Sequence, residues 1–370
     1  MAKLPINSKH LVSGNVAFAA SSGPVTTEDE PANTWNYGIV LYMDVGIGAT
    51  KNIYRMILAT SNSEAWIPIH GAPGFTGEGF DVEASSSFSR LSSTSQASTE
   101  FWHHTLNGFC GLDYLTFQSD EDPETITEYP LCIATSSSDG SFSAFVNADG
   151  FVGVPSPYKT PAENALFPSY LASYDVKQIG IWFDPTLTDS EVANRHFGYK
   201  GEVKFGGVNE EGFNGHLTWI DVLQDEWHWI VSSASVTVDA VAISGNNTTA
   251  FIIDTSASMS KLPASYFDAI IGHLDGQASD EPEKKLSAVD CEQAHSASPV
   301  ALDLGGFRVV LQQSKLFIEE TQNKCYLAFL KTAHDQPNVL GMSLLSHYYL
   351  ALDYDQKKIG LANANIPPSN

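Results

Sequence analysis

A mostly β chain folded as two related lobes is what this sequence predicts, on three observations. Phe251-Ile252-Ile253 runs straight into the polar turn Asp254-Thr255-Ser256-Ala257-Ser258, and Met56-Ile57-Leu58 runs into Ala59-Thr60-Ser61-Asn62-Ser63 in the same way. An apolar pair followed by glycine recurs downstream of each loop, at Phe151-Val152-Gly153 and at Val339-Leu340-Gly341. Charged residues make up only 17 % while Ser, Thr and Gly are plentiful, the mix of a strand-and-turn protein rather than a helical one. Two features recurring in the same order mark an internal duplication. At 370 residues the chain also exceeds what one core usually holds. The copies differ at one telling place: the second loop opens with a carboxylate, the first with Ala59.

The elements follow in chain order. Val16–Ala20 is a short strand before a polar, acidic stretch from Ser21 to Asn33. Ile39–Gly48 reads as a strand closing in a Gly turn, and Tyr54–Leu58 as its return into the first loop. Trp66-Ile67-Pro68 follows, and Ser85–Ser98 is expected to be a Ser-rich surface excursion. Phe101–Phe117 and Ile126–Ala134 make a hairpin whose tip is Asp120-Glu121-Asp122-Pro123. A Pro-containing turn at Asp184–Thr188 places the lobe boundary, giving an N-terminal lobe 1–186 and a C-terminal lobe 187–370. In the second lobe Trp227–Val231 alternates as a strand should, and Ala264–Ile271, just after Pro263, is the best short-helix candidate. Tyr348–Leu352 and Ile359–Ala362 close the chain as a hairpin.

Composition narrows the partners. A net charge of −24 argues against nucleic acid or an anionic membrane. No run reaches the roughly 18 apolar residues of a membrane span, and the opening Met1–Pro5 lacks the apolar core of a secretion signal. Cys110 and Cys132 lie symmetrically about Glu121, so they face each other across the predicted hairpin, leaving Cys291 to pair with Cys325. One bridge per lobe points to secretion or another oxidising compartment, with four free thiols as the alternative. Asn246 and Asn247 open two overlapping glycosylation patterns at a predicted turn. His103-His104 has no ligand partner at fixed short spacing, so no metal is expected and the pair reads as solvated. No helix pattern follows Gly46-Ile47-Gly48 and no Gly-x-Ser-x-Gly elbow occurs, which sets aside a nucleotide site and a serine hydrolase. No cofactor is expected.

Taken in order, these landmarks resemble the pepsin-like aspartic endopeptidases from about Tyr37 to Ala364. That family carries Asp-Thr-Gly in each lobe's loop and a Trp shortly after the first; Ala59-Thr60-Ser61 with Trp66 and Asp254-Thr255-Ser256 stand in those places. Lys204–Val208, Gly215–Trp219, Ile359–Ala362 and the spacing of Cys291 and Cys325 match further family landmarks. The resemblance implies a bilobal, nearly all-β monomer with few short helices and a groove between the lobes. A flap, here near 101–108, would cover that groove, and an extended peptide or protein segment would lie in it.

The resemblance also implies what is missing. Two carboxylates sharing one proton activate water in the family, and the handling of that shared proton needs both groups. Here Asp254 is the retained acid and Ala59 marks the lost one. Ser61 and Ser256 replace glycines, Asn62 replaces the usual serine, and Phe101-Trp102 stand where the flap carries Tyr-Gly. With Thr60 and Thr255 these residues would line the former cleft. The sequence leaves two readings: an inactive member that acts by binding, or an acid endopeptidase weakly active or disabled by an Asp-to-Ala change at position 59.

Overall fold

The computed structural model describes residues 13–20, 39–91, 96–101, 104–117, 124–140, 142, 148–158, 171, 174–183, 198–224, 228–238, 241–243, 249–274, 279–281, 286–311, 316–320, 324–334 and 336–365. The first half holds β1 (Ser13–Ala20), β2 (Ile39–Ile47), β3 (Asn52–Ala59), β4 (Ala65–Pro68), β5 (Ser89–Arg90), β6 (Ala97–Phe101), β7 (His104–Phe117), β8 (Glu124–Ser137) and β9 (Gly150–Gly153). Then come β10 (Gln178–Phe183), β11 (Gly198–Phe205), β12 (Phe213–Asp221), β13 (Ile230–Val238), β14 (Val241–Ile243), β15 (Thr249–Ile253) and β16 (Ser260–Leu262). The second half continues with β17 (Ser279–Glu281), β18 (Leu286–Asp290), β19 (Val300–Leu304), β20 (Phe307–Leu311), β21 (Phe317–Glu320), β22 (Lys324–Leu327), β23 (Phe329–Lys331), β24 (Val339–Leu340), β25 (Tyr348–Asp353) and β26 (Lys358–Ala364). Short helices at Ala264–His273, Cys291–Ser296 and Met342–Leu345 interrupt them. The fold is mostly β and bilobal, and the lobe boundary expected near Asp184 lies outside the described residues.

One sheet joins the two halves, in the order β12-β26-β25-β10-β11-β1-β2-β3-β9-β4-β8-β7-β5. β1 sits between β11 and β2, antiparallel to both, so the segment before the acidic stretch docks on the joint between the lobes. In each half the strand entering the loop runs parallel to the strand that carries the apolar pair. Leu58 and Ala59 lie opposite Val152 and Gly153 on β9, while Ile252 and Ile253 lie opposite Val339 and Leu340 on β24. A glycine ends both pairs because the loop folds back over it. A Cβ at Gly153 would come within 2.6 Å of the Asn62 backbone, and one at Gly341 within 2.6 Å of the Ala257 carbonyl oxygen.

The cores explain the runs of apolar residues. β3 is buried from Met56 to Ala59 on both faces, which is why it reads as continuous rather than alternating. Trp229 crosses from the second lobe: its indole Nε1–H donates to the Val154 carbonyl at 3.2 Å, and the Tyr354 hydroxyl donates to Pro155 at 2.9 Å. The disulfides fall as expected. Cys110 and Cys132 are direct cross-strand partners on β7 and β8, and Cys291 is bonded to Cys325. Two bridges of this kind belong to an oxidising compartment.

Three expectations need correction. The Ser-rich stretch 85–98 is not wholly an excursion, since β5 and the start of β6 lie in it; an edge strand open to solvent needs no apolar pattern. Its serines also have work to do, because Ser85 and Ser87 donate to the buried carboxylate of Asp113. The strand expected from Trp227 starts only at Ile230, after Trp229 has turned into the core, and Trp227 is outside the described residues. His104 is not simply solvated: its Nδ1 lies 3.5 Å from an Asp139 carboxylate oxygen, while His103 is outside the described residues.

Candidate functional site

Each loop begins where its strand loses its partner. After Ala59 the chain turns, and the Asn62 N–H donates back to the Ala59 carbonyl at 3.4 Å; after Ile253 the Ala257 N–H donates to the Asp254 carbonyl at 3.3 Å. The turns are the same, and they interlock. The Thr60 hydroxyl donates to the Ile253 carbonyl (2.7 Å) and accepts from the Thr255 N–H (3.0 Å). The Thr255 hydroxyl donates to the Leu58 carbonyl (2.5 Å) and accepts from the Thr60 N–H (3.3 Å). Both threonines are fully buried, so the exchange is shielded from water. Because Ala59 and Asp254 each precede an interlocked threonine, the grip sets them side by side at the junction.

One oxygen of the carboxylate there is held by its own loop. Asp254 Oδ1 accepts from the Ser256 N–H at 2.8 Å and from the Ser256 hydroxyl at 2.6 Å. A glycine could supply only the first of these. Ser61 donates to Asn62 Oδ1 at 3.2 Å and approaches the Ser256 oxygen at 3.4 Å. With both hydroxyl protons directed elsewhere, that last approach is a contact between the loops rather than a strong bond. Asn62 reaches the other way, its Nδ2 donating to the Glu100 carbonyl at 3.0 Å. The first loop is thereby tied to β6, which pairs with the start of β7, Phe101 opposite His104, in the segment expected to act as a flap.

The position that Ala59 occupies is apolar. Ala59 is buried in one cluster with Ile57, Trp66, Phe101 and Phe151, and the rings of Phe101 and Phe151 stack at 4.3 Å and 14°. Within it the Trp66 indole Nε1–H is buried without a hydrogen-bond partner. Phe101, its neighbour in the cluster, has no oxygen to offer. On the other side Lys261 is partly buried on β16; burial holds its ammonium below the usual lysine range, against the opposing pull of Asp254.

The structure thus brings Ala59, Thr60, Ser61, Asn62, Thr255, Ser256 and Asp254 into one junction, with Phe101 over the apolar side. Trp102, Asn246 and Asn247 lie outside the described residues. Sequence reading passed over Lys261, although its signal was present: it follows Asp254 at the same distance as Trp66 follows Ala59. Among the described residues no group of three or more His, Cys, Asp or Glu could hold a metal. None of their helices is long and apolar enough to cross a membrane.

Two strand-loop units gripping each other through threonines, with a flap hairpin from the first, define the aspartic protease class. The family model for eukaryotic aspartyl protease matches residues 41–364, and the chain belongs to that family. It is 24 % identical to pepsin-3 of Oryctolagus cuniculus over 358 residues, covering 94 % of this chain and 85 % of that protein. It is 24 % identical over 331 residues to vacuolar protease A of Arthroderma otae, covering 87 % of this chain and 78 % of that one. Gastricsin of Mus musculus is 25 % identical over 340 residues, with 87 % and 80 % covered.

Proposed function

We propose that this chain is a proteolytically silent member of the aspartyl protease family, a secreted monomer that binds a peptide or protein through the groove between its lobes. The observation that carries this is the pairing of Ala59 with Asp254 across an intact threonine grip. A single carboxylate cannot act as base toward water and as acid toward a scissile carbonyl in the same step. Asp254 is in addition engaged by two donors of Ser256, and the matching place in the first loop holds Ala59, which has no proton to share with it. Retention of the grip and of the flap hairpin supports a preserved groove in which an extended segment can add to a strand edge.

An acid endopeptidase disabled by replacement of its acid at position 59, or weakly active, is the second reading. The unaltered grip around Asp254 favours it. The serines, Asn62 and Phe101 weigh against it, because one replacement does not account for them. The test is to incubate the immobilised chain in acid with a mixture of long peptides and analyse both fractions by mass spectrometry. Peptides retained uncut are the expected result. Cleavage products abolished by an aspartic protease inhibitor would establish the second reading instead, and peptides passing through unretained would overturn the binding role.

A further inference from the structure

The internal duplication gives the strands around one loop counterparts around the other, and one pair of equivalent residues is badly mismatched. Trp66 on β4 lies antiparallel to Phe151 of β9, and Lys261 on β16 lies antiparallel to Val339 of β24. Phe151 and Val339 are themselves equivalent, each pairing in parallel with the strand that enters its loop, at Ile57 and Ile252. Lys261 is therefore the second lobe's counterpart of Trp66. On the first side that place is closed: Trp66 is buried beneath the flap with Phe101. On the second side it holds a cation that stays partly open to solvent.

The side chain's direction follows from strand alternation. Its neighbours Ser260 and Leu262 are fully buried, and the Ser260 hydroxyl accepts from the Gly341 N–H and bonds to Ser343, so that face of β16 turns into the lobe. Lys261 takes the opposite face, where the field of Asp254 reaches it. We propose that Lys261 is a specificity-determining residue of the cleft, selecting an extended peptide that carries a carboxylate side chain next to the Asp254 junction. The inference rests on the cleft-binding reading above. A partly desolvated ammonium gains more from an incoming anion than an exposed one, because less water screens the pair.

The experiment offers the whole chain two peptide pools of random sequence, both acetylated, one amidated and one with a free C-terminus. The same pools go to Lys261→Met and Lys261→Arg. Enrichment of Asp and Glu at one position is expected from both pools with the native chain. It should be kept by Lys261→Arg and lost by Lys261→Met, with about a tenfold or greater drop in affinity for an acidic peptide over its amide analogue. Enrichment confined to the free C-terminal pool would assign the anion to a chain end and overturn the side-chain proposal. Retention with no acidic preference, or a preference that survives Lys261→Met, would overturn it too. If neither pool is retained by any of the three proteins, the cleft-binding reading itself fails and this inference falls with it. Lys261→Arg guards against mistaking misfolding of Lys261→Met for lost recognition.

Discussion

The two loops are built alike and equipped differently. Each follows a strand lying parallel to an apolar pair, closes with the same backbone turn, passes over a glycine that admits no side chain, and locks a threonine into the other. Yet one opens with Asp254, whose charge reaches a partly buried lysine, and the other with Ala59 amid aromatic rings. The difference teaches that frame and chemistry are separable. Residues that hold the backbones together answer to packing and to buried hydrogen bonds, and they are matched between lobes. Residues that would move protons are not.

The strongest way to break the frame is through the grip. Thr60→Val leaves the Ile253 carbonyl and the Thr255 N–H without their partner, and Thr255→Val does the same to the Leu58 carbonyl and the Thr60 N–H. Each change is expected to lower unfolding free energy by about 2–5 kcal/mol, the cost of orphaning two buried polar groups. Urea titration should find the two losses similar and the double variant less than additive, since both threonines serve one network. A large inequality between them would mean that the halves are not equivalent in their frame.

A smaller effect sharpens the asymmetry. Phe101→Tyr puts a hydroxyl into the cluster that contains the orphaned Trp66 indole. If it accepts from that N–H, thermal unfolding should shift upward by the equivalent of about 1 kcal/mol. A loss of stability would show that the cluster has no room for the oxygen and that the flap is fixed by ring packing alone.

Much of this was legible in the sequence because it is written in periodicity and repetition. The strands into both loops, the glycine after each apolar pair, the helix after Pro263 and the Cys110–Cys132 pair all follow from local pattern. What was not legible depends on contacts between distant segments. Docking of β1 against β11 and β2 cannot be read from Val16–Ala20 itself. β6 is hidden in a Ser-rich run because its outward face needs no apolar residues. The capping of Asp254 by Ser256 was invisible for another reason: a serine in place of glycine reads as loss of backbone freedom, whereas its hydroxyl supplies a second donor. Nor does sequence show that Ala59 belongs to the flap's apolar cluster, since those residues lie far apart along the chain.

Cleavage of a denatured protein substrate between about pH 2 and 6, a window set by ordinary carboxyl pKa values, bears most directly on the proposed silence of the junction. Ala59→Asp alone should give no turnover, and activity should return only when Ser61→Gly, Ser256→Gly, Asn62→Ser, Phe101→Tyr and Trp102→Gly are added. Full, inhibitor-sensitive turnover from Ala59→Asp by itself would contradict the account.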